Sequence, residues 1–210
     1  MSKDQITKPE GSTEEQILEA ARKVFTRKGY AAARMDDIAK EAGMNRALLH
    51  YYFRSKERLF DMVFEENIRM FYGTFIGILN TPAPLEIRLR NLVSAEIDLL
   101  LHNQDIPLFV MNEINRDPEL LQGRISLLPV REFMMAMTAT LKTEMDKGTI
   151  RRIEPMHVFM HLMSLCVFPF VAKPMLKAVT GATQEHFEAL MEQRKQVITE
   201  TLLQLLKPRS

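Results

Sequence analysis

At 210 residues, with 46% hydrophobic and 26% charged side chains, the chain can bury a full core, which excludes the disordered class. Eight glycines and ten prolines, with no solenoid period, exclude low-complexity and repeat architectures. A net charge of +1 points to no partner by itself, but residues 1–58 hold 12 Lys/Arg against 9 Asp/Glu, and the remainder 16 against 18. A mildly basic head on a mildly acidic body suits nucleic-acid contact at one end.

Helical periodicity runs through the chain and strand alternation is nearly absent, which predicts an all-α fold of about nine helices. Ser12 to Glu15 reads as a capping box, followed by an apolar stripe of Ile17, Ala20, Ala21, Val24 and Phe25 that ends at Lys28-Gly29. A short helix spans Met35 to Ala42, with Asp36 and Asp37 favourable in its first turn. Gly43 breaks it, and Asn45 caps a third helix, Arg46 to Tyr52. Ser55 caps a long fourth helix, from Lys56 to about Leu79. After Thr81-Pro82-Ala83-Pro84, helices are expected at about 85–101, 106–115 and 118–146, the last with Pro118 in its first turn. An uncharged helix follows from Pro155, with Pro169 and Pro174 expected to end it, and the last helix runs from about Gln184 to Leu206.

Function concentrates at residues 34–53. Ile38 and Ala39 pack one short helix, Ala42-Gly43-Met44 makes a tight turn, and Leu49 and Phe53 fix the next helix from inside. This is the helix-turn-helix pattern, in which the second helix enters the major groove and the first braces it on the backbone. Arg46 can reach a base edge or a phosphate, and Ala47 and Leu48 offer apolar contact to the groove. His50, Tyr51 and Tyr52 can donate to phosphates or stack on sugars, and at least one of the two tyrosines is expected to serve partly as core between the third and fourth helices. Lys56 brings a charge and a helix N-terminus to one phosphate.

The run Ile17-Leu18-Glu19-Ala20-Ala21, Phe25, Gly29-Tyr30, Met35-Asp36-Asp37-Ile38-Ala39, Ala42-Gly43-Met44, Leu49-His50-Tyr51-Tyr52-Phe53 and Lys56-Glu57-Arg58-Leu59 resembles the N-terminal domain of the TetR family of transcriptional regulators. The match covers about fifty residues in order and spacing, whereas the rest resembles the family only in length and helix content. The resemblance implies a helix-turn-helix DNA-binding domain at 10–58 and a larger helical ligand-binding and dimerisation domain at 59–210. It implies a homodimer on a palindromic double-stranded DNA operator, released when a ligand moves the fourth helix. The DNA-contacting set it implies is Arg34, Met35, Asn45, Arg46, Ala47, Leu48, His50, Tyr51, Tyr52 and Lys56. Two positions depart from the family pattern. Ala33-Arg34 stands where a Thr or Ser usually caps, so Arg34 takes over the phosphate contact, and His50 stands where Tyr is common. The last two long helices are implied to pair between subunits, with Phe168, Phe187, Leu190, Met191, Arg194, Val197, Ile198 and Leu202 at the dimer interface.

Ten of the 15 methionines lie after position 100. Phe71, Phe75, Phe109, Met111, Phe133, Met134, Met137, Phe159, Met160 and Met163 could line a cavity for a bulky apolar effector of variable shape, and the same spacing also describes a plain core. A body controlled by a protein partner, with no cavity, is the alternative. His157 and His161 stand four apart, a spacing able to hold a metal, but no third ligand lies near in sequence, so no metal and no cofactor are expected. No phosphate-cradling glycine loop, nucleophile elbow or zinc-protease helix is present, which argues against an enzyme. Residues 155–172 carry no Asp, Glu, Lys or Arg, but His157, His161, Ser164 and the prolines favour a buried core helix over a membrane span. A single cysteine, Cys166, and a polar N-terminal segment fit the cytoplasm.

Overall fold

The computed structural model describes residues 12–104, 106–108, 110, 111 and 129–208, without the side chains of Ala31, Asn67, Met70 and Phe71. Nine helices have both ends among these residues: α1 Thr13–Ala32, α2 Met35–Glu41, α3 Arg46–Tyr52, α4 Lys56–Leu79, α5 Leu85–His102, α6 Val130–Asp146, α7 Pro155–Val171, α8 Lys173–Thr180 and α9 Gln184–Leu206. No strand occurs among the described residues. The chain divides into two compact units, Met1–Glu65 and Glu66–Ser210.

In the first unit the expected capping box opens α1. The Ser12 N–H donates to Glu15 Oε2 at 2.7 Å, and the Glu15 N–H donates to Ser12 Oγ at 3.3 Å. Ile17, Ala20, Ala21, Val24 and Phe25 form its buried face. Gly29, at φ 71°, interrupts the helix in a conformation that other residues rarely adopt, and a last turn carries it on to Ala32. The Arg34 N–H donates to Asp37 Oδ2 at 3.1 Å at the start of α2, so an aspartate does half the work of the missing Ser/Thr cap. Lys28, 2.9 Å from Asp37, holds that carboxyl below its usual range. Gly43, at φ 67°, lets the Met44 N–H turn back to the Ala39 carbonyl at 2.9 Å. Asn45 Oδ1 accepts from the Leu48 N–H at 2.8 Å and starts α3. Phe25, Tyr30 and Phe60 form an edge-on aromatic cluster, with centroids 5.1 Å apart for Phe25–Phe60 and 4.8 Å for Tyr30–Phe60.

In the second unit α9 packs on α5 and α7, α5 packs on α7, and α6 and α8 pack on α7. The core gathers Leu92, Val93 and Ile97 of α5, Leu141 of α6, Leu162 and Cys166 of α7, and Ile198 and Leu202 of α9. Two expectations about α7 are corrected. Pro169 lies inside the helix instead of ending it, and Pro174 sits in the first turn of a separate helix, α8, where a missing N–H costs nothing. The helices expected at 106–115 and 118–146 fall partly outside the described residues; α6 is described from Val130. Among the described residues no single helix is long and apolar enough to cross a membrane; α7 and α8 pass that test only as a pair bent by 64°.

The expected interface residues divide into two faces. Phe187, Met191, Ile198 and Leu202 are at most 2% exposed, because that stripe of α9 is sealed within its own unit. They are not surface residues, which corrects their assignment to an interface. Phe168, Leu190 and Val197 are 55%, 45% and 54% exposed and remain available. Arg194 is half-buried and its Nη2 donates to the Leu165 carbonyl at 2.9 Å.

Candidate nucleic-acid interface and effector cavity

Helix α3 is amphipathic across its width. Leu49 is wholly buried and Phe53, just after it, nearly so, which anchors the helix on α2. The opposite face presents Arg46, Ala47, Leu48, Tyr51 and Tyr52 to solvent, with His50 half-buried. Tyr51, at 80% exposure, is held out in water with Tyr52 edge-on at 5.4 Å. An amphipathic ring kept in solvent has no packing role, so the core reading of Tyr51 does not hold. Arg46 is oriented by its neighbours: its Nε lies 3.3 Å from Asp36 Oδ1 and donates to His50 Nε2 at 3.3 Å. Arg34 is exposed and Met35 half-buried at the start of α2, and Asn45 spends its side-chain oxygen on the α3 cap. Arg54, exposed directly after α3, adds a cation that helical periodicity did not single out, since it lies between helices.

Lys56 is more committed than its sequence position suggests. Its Nζ donates to the Tyr30 carbonyl at 2.8 Å and the Ala33 carbonyl at 3.0 Å, and lies 4.3 Å from the centre of the Tyr30 ring. Two of its three N–H donors therefore tie the start of α4 to the end of α1, leaving one.

The second unit holds an apolar cavity of about 660 Å³. Its walls are Ile68 and Tyr72 of α4, Leu100 of α5, Ile106, Pro107, Val110 and Met111, and Phe159, Met160, Met163, Ser164, Val167, Phe168 and Val171 from α7. Met111, Phe159, Met160 and Met163 of the expected set are among them. Phe75, Phe133, Met134 and Met137 are not. Phe75, Phe133 and Met137 are at most 2% exposed and, with Met134 packed against them, belong to the core cluster, where aromatic contacts such as Phe75–Phe133 at 6.0 Å absorb them. Phe109 and the side chain of Phe71 lie outside the described residues. His157 accepts at its carbonyl from His161 Nδ1 at 2.6 Å, so one ring nitrogen of the pair is spent within the helix.

A second groove, of about 780 Å³, lies over Arg88, Thr140 and Glu144. Most of its polar groups pair with one another: Arg88 Nη1 donates to the Leu79 carbonyl at 3.0 Å, and Glu144 accepts from Lys147 at 3.0 Å and Thr149 at 2.7 Å, while Arg88 Nε is left without a partner. Those partners, Thr149 first, hold the Glu144 carboxyl below its usual range. The groove is the larger of the two, but its groups are already used in joining α5 to α6.

Sequence reasoning passed over Glu96 of α5. It is wholly buried, and neither carboxyl oxygen has a hydrogen-bond partner. Burial pushes it up to about 8; the adjacent Cys166 thiol pulls the other way, but without the geometry of a bond to either oxygen. Burial, and then the charge of Glu96, push Tyr72 up to about 12, and the Cys166 thiol is raised by the same two causes. Glu96 lies one turn before Leu100, and Cys166 lies between Met163 and Val167, so the carboxyl sits immediately behind the cavity wall.

A helix-turn-helix presenting arginine and exposed tyrosine, on a chain whose helical body carries an apolar cavity, defines a DNA-binding transcriptional regulator. Residues 17–63 match the family described as bacterial regulatory proteins, tetR family, and residues 85–201 match the tetracyclin repressor-like C-terminal domain. The chain belongs to the TetR family, whose members bind DNA operators, act as dimers and are not enzymes.

Among its relatives, the HTH-type transcriptional regulator RutR of Escherichia coli is 26% identical over 198 residues, covering 92% of this chain and 90% of that protein. The HTH-type transcriptional activator FasR of Mycolicibacterium smegmatis is 33% identical over 105 residues, 50% of this chain and 48% of that one. The fold is shared with the ketosteroid transcriptional regulator KstR2 of Mycobacterium tuberculosis, at a TM-score of 0.71 and 18% identity over 95% of this chain and 97% of that one. It is also shared with the transcriptional regulator FadR of Bacillus subtilis in complex with stearoyl-CoA, at 0.68 and 18%, over 88% and 97%.

Proposed function

We propose that the protein is a repressor that binds a palindromic operator as a homodimer and leaves it when a bulky apolar molecule enters the body. The observation that carries this reading is the cavity of about 660 Å³, whose described walls are apolar apart from Tyr72 and Ser164. Its methionines adapt to several ligand shapes. A body ruled by a protein partner needs no such space, which favours the small molecule.

In this reading residues 10–58 are the DNA-binding domain and 59–210 the sensing and dimerisation domain. Arg46 reads a base, Arg34, His50, Tyr51, Tyr52 and the free donor of Lys56 hold phosphates or sugars, and Ala47 and Leu48 pack on the groove. Met35 and Asn45 set the starts of the two helices. The exposed Phe168, Leu190 and Val197 meet a second copy. The protein acts in the cytoplasm, with the DNA it regulates.

The test is binding to the DNA upstream of its own gene, at fixed salt, against scrambled competitor. One palindromic site held selectively, and released by apolar compounds that bind the body, is the expected result. No selectivity over scrambled DNA, there or from a random-sequence library, overturns it. Selective binding insensitive to every apolar compound leaves a regulator with another control.

A further inference from the structure

We infer that Glu96, behind the cavity wall, is the recognition group of the effector site, and that the effector is an apolar molecule carrying an amine head. The inference rests on the cavity being the effector site. Burying a carboxyl with neither oxygen bonded is costly, and native cores rarely carry such a group without use for it.

The chemistry of the head follows from what the carboxyl lacks. Once the carboxyl is ionised both oxygens need donors, and an ammonium supplies three, whereas an alcohol supplies one. Among the described lining residues there is no Lys, Arg, Asp or Glu, so an anionic head would meet no counter-charge. The groups facing Glu96 are Tyr72 on α4 and Cys166 on α7, with Arg194 of α9 beside Cys166 and turned to the Leu165 carbonyl. Tyr72 both lines the cavity and senses Glu96, so it marks the path from one to the other. With Phe159 it also supplies aromatic rings to the cavity wall, which suits a cation.

Because burial keeps Glu96 protonated at neutral pH, a neutral amine can enter and take that proton. The carboxylic acid becomes a carboxylate and the amine an ammonium, so the pair forms inside without a net charge crossing the apolar wall.

Three probes of one chain length separate the heads: decylamine, 1-decanol and decanoic acid, titrated calorimetrically into the full-length protein. We expect decylamine to bind at least about tenfold more tightly than decanol, with decanoate weakest. Glu96→Gln should reduce the amine preference to about twofold, and a cooperative urea melt is the check that the variant folds. Equal binding of all three heads, decanoate binding best, or an amine preference that survives in Glu96→Gln would overturn the inference. The head-group ranking of the unmodified protein stands whatever the variant does. Decanol binding without an amine preference sinks only the role of Glu96; no binding by any probe removes the cavity reading and this one with it.

Discussion

Arg194 of α9 takes the place of a backbone N–H in α7. Pro169 has none to give to the Leu165 carbonyl four residues before it, and the Arg194 guanidinium donates to that oxygen instead, at 2.9 Å. The bond joins two helices at the point where one of them is weakest. It also explains why an arginine interrupts the apolar stripe of α9.

Replacing Arg194 with Met should therefore leave a carbonyl unpaired and cost about 1–3 kcal/mol. In a Pro169→Ala background, where the helix regains its own donor, the same replacement should cost measurably less. Urea melts of the two single variants and the double, at one protein concentration because the dimer contributes, give the coupling. Additive losses would mean the arginine does not serve the proline.

Glu96 makes a pH prediction with a definite sign. Its folded value is raised from 4.5 to about 8, so the folded protein holds the proton more tightly than the unfolded chain. Stability from this group is fully present below about pH 4.5, falls as pH rises toward 8 and is flat beyond. The loss between pH 5 and 8 should be on the order of 3 kcal/mol. Glu96→Gln removes the titrating group, so the urea midpoint of that variant should vary much less over this range. A parallel decline in both proteins would place the titration elsewhere.

Lys56→Ala should show two separable effects. Loss of two charge-assisted bonds to the Tyr30 and Ala33 carbonyls should cost the DNA-binding unit about 1–3 kcal/mol. The salt dependence of DNA binding should fall by at most about one charge, since one donor remains for a phosphate. A destabilised head with an unchanged salt slope would make the lysine a tether alone.

On α9, neighbours in sequence should behave oppositely. Val197→Glu should leave a folded chain that sediments as a monomer, since Val197 is 54% exposed. Ile198→Glu should unfold the body, because Ile198 is wholly buried, with a cost above about 3 kcal/mol. A dimeric Val197→Glu protein would put the interface on another face.

The head was legible in sequence because its signals are local. Ser12 and Asn45 cap within three residues, and Gly29 and Gly43 turn where only glycine turns easily. The body was less so, because its errors concern which partner covers a residue. The stripe Phe187, Met191, Ile198 and Leu202 reads the same whether α5 or a second chain lies on it. Phe133 and Phe159 are alike in sequence, yet one fills the core and the other walls the cavity. Pro169 reads as a stop until the distant Arg194 is brought to it. Glu96, between Ala95 and Ile97 and near Ser94 and Asp98, reads as part of a solvated face, and only the packing of α7 over α5 removes it from water.

The burial of Cys166 makes the chain its own recorder of motion. It is the sole thiol in 210 residues, wholly buried beside Glu96 and held in the unreactive protonated form. A maleimide can reach it only when the core around α7 opens, so the rate of alkylation reports openings of the body. A ligand that braces the cavity would lengthen the wait and one that pries it apart would shorten it, which distinguishes tightening from loosening without any engineered label.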